Sequence, residues 1–312
     1  MKIISTMMLK PEQLEQIKAV RPDIIIEVSK QFTERDEQVE GLLTYGWDVT
    51  DQTLELYPKL KWIQAMGAGV DKLPLEVLAA KEILLTNVRG AHSVHMSEHV
   101  IWSILNLLRQ GRTVMHQQDQ KIWSAKYRIE EMYEKTVCIV GAGTIGEAVA
   151  EKCQAFGMKV WGISQRGRSR PGFDRVGNLD NIEEFLECSD IVIALLPLTS
   201  ETQNFFNAER FSQMKDGAYF INVARGSVVD EGALLQALQT GKVRAAALDV
   251  FVTEPLPETS PFWTLENVFL TPHSAGRSPN YTKRMFEVFL KNIKEYPNLT
   301  AMINQINLES GY

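Results

Sequence analysis

The chain has 312 residues, of which 45% are hydrophobic and 23% are charged, and its formal net charge is −6. This is ordinary globular composition at a length sufficient for two domains, and the acidic balance argues against nucleic-acid or membrane binding by charge over the whole surface. No apolar run reaches the length of a bilayer span or of a signal peptide, and three cysteines without C-x-x-C spacing indicate neither disulfides nor a zinc site. We therefore expect a cytoplasmic protein.

Short apolar runs alternate with helical patterns along the chain, which is typical of parallel sheets flanked by helices. The predicted strands form two series: Ile3–Ile4, Ile24–Ile26, Gly41–Thr44, Trp62–Gln64 and Leu84–Thr86, then Val137–Val140, Val160–Ile163, Ile191–Leu196, Tyr219–Val223, Ala245–Leu248 and Val268–Leu270. Long helices are predicted over Val94–Arg112 and Pro279–Glu295. We expect a dinucleotide-binding domain, residues 99–279, inserted into a substrate domain of residues 1–98 and 280–312, with substrate bound in the crevice between them.

A glycine-rich turn follows the first strand of the second series. Gly141, Gly143 and Gly146 have the G-x-G-x-x-G spacing, and a helix is predicted from Thr144 through Ile145 onward. Such glycines allow a tight strand-to-helix turn and a close approach of the backbone to a pyrophosphate, which the helix N-terminus stabilises. The turn predicts a dinucleotide site, although the same spacing also occurs in strand–helix turns of other α/β proteins.

The end of the next strand bears on the choice of cofactor. Ser164 stands where an acidic residue normally binds the adenosine ribose 2′-hydroxyl, and Arg166 and Arg168 follow it. A hydroxyl and guanidinium groups can bind a 2′-phosphate that a carboxylate would repel. We therefore expect NADP(H) in preference to NAD(H), while the arginines can also be read as solvated loop charges.

Four further segments complete a pattern that covers nearly the whole chain. They are Ala65–Asp71, Asn222–Gly226, Leu248–Pro255 and Thr271–Gly276. With the glycine loop, they resemble the D-isomer-specific 2-hydroxyacid dehydrogenases, and the loop from Ser164 to Gly172 is most similar to that of NADPH-dependent glyoxylate/hydroxypyruvate reductases. The resemblance implies two doubly wound parallel-sheet domains, a Rossmann domain inserted into a flavodoxin-like substrate domain.

The resemblance implies a catalytic set made of Arg225, Glu254 and His273. His273 would give a proton to the keto oxygen of a short 2-keto acid while hydride goes to the carbon, forming a D-2-hydroxy acid. Glu254 would pair with the other ring nitrogen and orient the imidazole, and Arg225 would bind the substrate carboxylate and carbonyl oxygen.

The resemblance also implies contacts outside the catalytic set. Backbone N–H groups of Ala68 and Gly69 would bind the substrate carboxylate, and Trp47 would cap the substrate. Further contacts with the cofactor are implied for Met96, Pro197, Thr202, Ala224 and Asp249.

Several alternatives stay open at this point. His95 and His99 fit the H-x-x-E-H pattern of zinc proteases, but the chain shows no further acidic ligand and we expect no metal. A formate dehydrogenase is disfavoured because those enzymes carry Gln at the position of Glu254. A phosphoglycerate dehydrogenase is disfavoured because the Leu43–Asp48 loop has no Arg to bind a substrate phosphate, although Arg89 could still make such a contact. An NAD-dependent dehydrogenase of other 2-keto acids and a dinucleotide-sensing corepressor are the remaining alternatives.

Family members are commonly dimers through the nucleotide domain. We expect a homodimer whose contact lies in residues 117–133, with the alternative that the large side chains there pack internally. These side chains are Trp123, Tyr127, Met132 and Tyr133.

Overall fold

The structure, a computed structural model, describes residues 1–70 and 72–309. The strands of this part of the chain are β1 (Lys2–Ser5), β2 (Ile25–Val28), β3 (Val39–Thr44), β4 (Trp62–Ala65), β5 (Leu84–Thr86), β6 (Thr136–Val140), β7 (Lys159–Ile163), β8 (Arg175–Gly177), β9 (Ile191–Ala194), β10 (Ala218–Asn222), β11 (Val243–Leu248) and β12 (Val268–Leu270). Its α-helices are α1 (Pro11–Val20), α2 (Asp51–Leu56), α3 (Leu75–Ala80), α4 (Ser93–Leu108), α5 (Gly111–Asp119), α6 (Thr144–Ala155), α7 (Ile182–Cys188), α8 (Ala208–Gln213), α9 (Glu231–Thr240) and α10 (Tyr281–Glu295).

The chain divides into two compact units. One consists of Met1–Ala91 and Ser278–Tyr312, and the other of His92–Arg277. The boundary predicted after residue 98 falls inside α4, and the one predicted after residue 279 lies two residues beyond Arg277. Helix α4 cannot be divided, because its buried face, including Val100 and Ile104, belongs to the core of the second unit.

The first unit contains a parallel sheet in the order β2-β1-β3-β4-β5. This is the flavodoxin-like order, in which the chain winds outward in both directions from β1 and β3. Helix α10 covers one face with Phe289 and Ile293, and the other face is covered by Leu54 of α2 and Leu78 of α3.

The second unit contains a parallel sheet in the order β12-β11-β10-β9-β6-β7-β8. From β6 the chain continues outward to β7 and β8 and then returns to β9 on the other side, so the strand order reverses between β6 and β9. Helices α4 and α6 pack on one face, and α7, α8 and α9 on the other. The arrangement is a Rossmann fold, and in such sheets ligands bind beyond the carboxyl ends of the strands at the reversal point.

Two features of the second unit depart from the sequence prediction. Strand β8, which reads Arg-Val-Gly, was not predicted, because it carries no apolar run. The helix predicted to continue to Arg112 instead ends at Leu108, and α5 begins at Gly111 after Gln110 takes a left-handed conformation with φ of 55°. Among the described helices, none is both long enough and apolar enough to cross a membrane.

Candidate active site

The glycine turn connects β6 to α6 at the reversal point of the sheet. Gly141 has φ of +115°, and a methyl group built on it would stand 2.6 Å from the carbonyl of Leu195 in the neighbouring loop. A methyl group on Gly146 would stand 2.6 Å from the carbonyl oxygen of Gly141, so this glycine allows the helix to pack against the turn. A methyl group on Gly143 would meet no atom within 4 Å.

The three glycines therefore have the three separate roles of a dinucleotide fingerprint. Gly141 makes the turn, Gly146 permits close packing, and Gly143, the N-cap of α6, has no packing reason of its own. Space beside Gly143, at a helix N-terminus where N–H groups point outward, suits a pyrophosphate. Thr144 and Ile145 form the first turn of that helix, so the residues present fit a dinucleotide.

The loop after β7 carries the residues predicted to select the cofactor. Ser164 begins a turn in which the Gly167 N–H donates to the Ser164 carbonyl at 3.3 Å, and Arg166 and Arg168 are exposed. Arg170 instead forms an ion pair with Glu147 of α6 at 2.9 Å.

The first acidic residue after Ser164 is already engaged elsewhere. The carboxylate of Asp174 accepts a hydrogen bond of 2.6 Å from the Val160 N–H, near the beginning of β7. In the described structure, the end of β7 thus presents a hydroxyl and two arginines without a carboxylate from the loop that follows it.

Two predicted cofactor contacts lie in the loop after β9. The hydroxyl of Thr202 donates to the carbonyl of Pro197 at 2.6 Å and accepts from the Thr199 N–H at 2.8 Å. Because the end of β9 pairs with the end of β6, this loop lies beside the glycine turn. Thr202 therefore shapes the loop through its own hydrogen bonds.

Arg225 and Ala224 lie in the loop after β10. Buried Asn222 holds this loop, since its side-chain oxygen accepts from the Ala224 N–H at 3.1 Å and its amide donates to the Arg225 carbonyl at 3.3 Å. A methyl group on Gly226 would stand 1.9 Å from the carbonyl carbon of Phe251. Only glycine permits this contact, which sets the Arg225 loop against the loop that carries Glu254.

Glu254 and His273 form the central pair of the site. His273 Nδ1 lies 2.7 Å from Glu254 Oε2, while the other carboxylate oxygen accepts from the Phe251 N–H at 2.9 Å. The His273 side chain remains half exposed, so the ring is oriented yet accessible. The residues come from the loops after β11 and β12, which are adjacent strands, and the predicted pairing is present in the structure.

His273 has a left-handed backbone conformation with φ of 48°. This conformation is costly for a residue with a side chain and persists only when the surroundings hold it in place. The His273 N–H donates to the Asp249 carbonyl at 2.8 Å. The loop that bears the imidazole is thus tied to the end of β11.

Asp249 has a role in the second unit that the sequence did not reveal. Its carboxylate, which is 2% exposed, accepts from the N–H groups of Ser274 and Ala275 at 2.8 and 2.9 Å and from the hydroxyl of Thr271. These bonds join β11 to the loop after β12. Asp249 therefore holds the His273 loop, and its predicted contact with the nicotinamide stays a prediction.

Helix α4 lies along the same loop. Met96 is 9% exposed and belongs to the core cluster that also contains Val223 and Ala275, which are near Arg225 and His273 in the chain. Burial, together with the charges of His95 and Arg225, lowers the pKa of His92 to about 4. His92 is therefore neutral near pH 7.

The remaining predicted substrate residues belong to the first unit. Ala68 and Gly69 follow β4, and the Ala68 carbonyl accepts from the Asn87 side chain at 2.6 Å. Trp47 is exposed and its ring stacks on that of Tyr45, with centroids 5.0 Å apart. Trp47 thus belongs to a stacked aromatic pair at the carboxyl end of β3, and its contact with substrate stays a prediction, as does the carboxylate contact of Ala68 and Gly69.

Comparison with known proteins agrees with this geometry. Residues 101–275 match the family model described as D-isomer specific 2-hydroxyacid dehydrogenase, NAD binding domain. Glyoxylate/hydroxypyruvate reductase B of Klebsiella pneumoniae is 31% identical over 299 residues, which cover 94% of this chain and 91% of the relative.

The chain belongs to the D-isomer specific 2-hydroxyacid dehydrogenase family.

Two further similar proteins have names that refer to different substrates. D-3-phosphoglycerate dehydrogenase of Methanocaldococcus jannaschii is 33% identical over 84% of this chain, but the match spans only 50% of that longer relative. The NADPH-dependent glyoxylate/hydroxypyruvate reductase of Sinorhizobium meliloti, solved in complex with NADP and sulfate, is 29% identical with a TM-score of 0.84 and covers 100% of this chain and 99% of that one. This dehydrogenase is therefore an oxidoreductase that uses a nicotinamide dinucleotide.

Proposed function

We propose that the protein reduces short 2-keto acids, glyoxylate and hydroxypyruvate among them, to 2-hydroxy acids of D configuration with NADPH. The observation that carries the proposal is the His273–Glu254 pair at 2.7 Å, in the same unit and at the same sheet edge as the glycine turn and the Arg225 loop. Relatives named glyoxylate/hydroxypyruvate reductase support the substrate class.

The chemistry of the proposal assigns one task to each side chain. The cofactor, when bound, supplies the hydride that goes to the keto carbon. Glu254 occupies Nδ1 of His273, so Nε2 is the nitrogen that gives a proton to the carbonyl oxygen. Arg225 binds the substrate carboxylate and stabilises the negative charge that develops on the carbonyl oxygen.

The dinucleotide would be held by the loops at the carboxyl edge of the second sheet. The residues are Gly141, Gly143, Thr144, Ile145, Gly146, Ser164, Arg166, Arg168, Pro197, Thr202, Ala224 and Asp249, together with Met96 of α4. The NADPH preference rests on Ser164 and the two exposed arginines and on the engagement of Asp174 away from this point. An NAD-dependent dehydrogenase acting on other 2-keto acids is the alternative.

Cofactor preference is tested by placing a carboxylate at the end of β7. Ser164→Asp should lower kcat/KM with NADPH by about tenfold or more, since repulsion of a phosphate by one charge costs on the order of 1–2 kcal/mol. Activity with NADH should be kept or raised. The control is Ser212→Asp, on the exposed surface of α8, which changes the net charge by the same amount as Ser164→Asp. It should leave the activities with NADPH and with NADH unchanged.

Substrate class is tested with a panel that contains glyoxylate, hydroxypyruvate and 3-phosphohydroxypyruvate. We expect the unphosphorylated acids to be preferred, because Leu43–Asp48 has no basic residue. A preference for the phosphorylated acid would overturn the substrate assignment. Tight NADPH binding without turnover of any member would overturn the reductase proposal.

We also propose a homodimer formed through the second unit. In the segment predicted for the contact, the Trp123 side chain is fully exposed, and Ile122, Ile129 and Tyr133 are exposed as well. Met132 is 4% exposed and packs in the core cluster of this unit, which agrees with the alternative of internal packing for this side chain. Light scattering should give twice the chain mass for the wild type and a lower mass for Trp123→Lys.

A further inference from the structure

The face of α4 that matched the zinc-protease pattern lies against the loop that carries His273. His99 Nε2 lies 3.4 Å from the Thr271 hydroxyl and 3.7 Å from Asp249 Oδ1. His95 Nε2 lies 3.0 Å from the Gly276 carbonyl oxygen. Two successive turns of one helix thus contact the beginning and the end of the same six-residue loop, Thr271–Gly276.

The contact made by His95 has a defined chemistry. A carbonyl oxygen can only accept, so the proton must be on Nε2 and His95 is the donor. The imidazole is 7% exposed, and a hydrogen bond formed away from water is expensive to leave unmade. The ring of His92 contacts that of His95 at a tilt of 50°, with centroids 5.4 Å apart, and its Cδ2 atom lies 3.6 Å from the position of a methyl group built on Gly276.

The carboxylate of Asp249 does not hold the Gly276 end of the loop in the described hydrogen bonds. Asp249 holds residues 271, 274 and 275 from the β11 side, and His273 between them has a left-handed backbone that its neighbours must maintain. Beyond Ala275 the chain continues to Gly276, where a residue without a side chain adds no packing of its own. The His95 hydrogen bond fixes the loop at this end.

We propose that His95 is a positioning residue, which holds the loop through Gly276 so that His273 stays in contact with Glu254. This inference rests on the proposed function for its kinetic consequence, but not for its structural one. His95 contacts the loop at Gly276, and it acts on His273 through three residues of backbone.

The test compares two amide side chains at position 95. Gln places its amide nitrogen where Nε2 of His95 lies and keeps the donor, whereas Asn places it at the position of Nδ1 and does not reach the Gly276 carbonyl. His95→Asn should lower kcat by about 10- to 100-fold, since misplacement of a catalytic group by about 1 Å has an effect of this size. The KM and Kd for NADPH should stay within about twofold, and His95→Gln should recover most of the lost kcat.

Hydrogen–deuterium exchange of the peptide that covers residues 270–277 gives a readout that needs no turnover. The Ser274 and Ala275 amides should exchange about tenfold faster in His95→Asn than in the wild type, with no change in other strands of the second unit. His116→Gln, on the exposed face of α5, is the control histidine and should change nothing. Should His95→Asn fail to fold, His95→Leu fills the same space without a donor.

Each outcome decides the inference. Wild-type kcat in His95→Asn, equal losses in the Asn and Gln variants, or unchanged exchange in the loop would each overturn it. If the wild-type protein reduces none of the 2-keto acids, the proposed function fails, and the exchange experiment alone still decides whether His95 holds the loop.

Discussion

The cofactor site makes a sharp prediction at Gly143. A methyl group there meets no protein atom within 4 Å, and the backbone is extended, with φ of −92° and ψ of −163°. Gly143→Ala should therefore change the free energy of unfolding by no more than about 1 kcal/mol, because a poorer N-cap is offset by a less flexible unfolded chain. The same methyl group would occupy the space where we place the pyrophosphate.

The expected loss of NADPH affinity follows from the contact that would be displaced. A hydrogen bond from a backbone N–H to a charged group is worth about 1.5–3 kcal/mol, and each 1.4 kcal/mol is a factor of ten in Kd. Gly143→Ala should thus weaken NADPH binding by about 10- to 100-fold. Fluorescence titration with NADPH gives the affinity, and thermal unfolding without cofactor gives the stability.

Gly146→Ala is the matched contrast. Its methyl group would stand 2.6 Å from the Gly141 carbonyl oxygen, so this variant should lose stability by about 1–3 kcal/mol, less the gain in helix propensity. Gly143→Ala that binds NADPH within about twofold of the wild type, while remaining folded, would refute our placement of the cofactor. Equal losses of stability in both variants would refute the distinction between the two glycines.

Further predictions concern the loop that bears the catalytic histidine. In Asp249→Asn, an amide N–H donor takes the place of a carboxylate oxygen that accepts a hydrogen bond from the Ser274 or Ala275 N–H. Urea unfolding should therefore show a free energy of unfolding that is lower by about 2–4 kcal/mol, and steady-state kinetics should show a lower kcat. Glu254→Gln should lower kcat and change the KM for the keto acid little, because the neutral amide stabilises the protonated imidazole of His273 less than the carboxylate does. A kcat equal to that of the wild type would show that Glu254 has no part in the mechanism. The pKa of His92 is lowered to about 4 in the folded protein, so as the pH drops the unfolded chain takes up a proton on this residue at a higher pH than the folded chain does. The free energy of unfolding should therefore fall by about 2–3 kcal/mol between about pH 6.5 and pH 4. His92→Asn should lack this part of the fall when urea unfolding is compared across that pH range, and an identical pH dependence in the two proteins would contradict the shift.

The sequence was sufficient to predict strands that are continuous apolar runs and loops that carry glycine motifs. The strand Val137–Val140 and the helix from Thr144 appear as predicted, within one residue. Strand β8 was missed because Arg175–Gly177 has no apolar run, and pairing with β7 alone makes it a strand.

Some contacts of the candidate site also could not be predicted from sequence patterns. His273 and Glu254 were predicted as a pair through the family resemblance, but no pattern indicated that buried Asp249 holds the histidine loop. His95 matched a metal motif, and its actual partner is a backbone carbonyl 181 residues further along the chain. Contacts of this kind depend on which strands are adjacent, and local sequence patterns do not predict the order of strands in a sheet.

The most direct measurement follows the hydrogen itself. Hydroxypyruvate is incubated with the protein and NADPH that carries deuterium at both C4 positions of the nicotinamide, and the glycerate formed is analysed by mass spectrometry and chiral chromatography. The account predicts D-glycerate with one deuterium at C2 for the wild type, and almost no product with Arg225→Ala. Glycerate without deuterium, the L isomer, or undiminished formation of product by Arg225→Ala would contradict it.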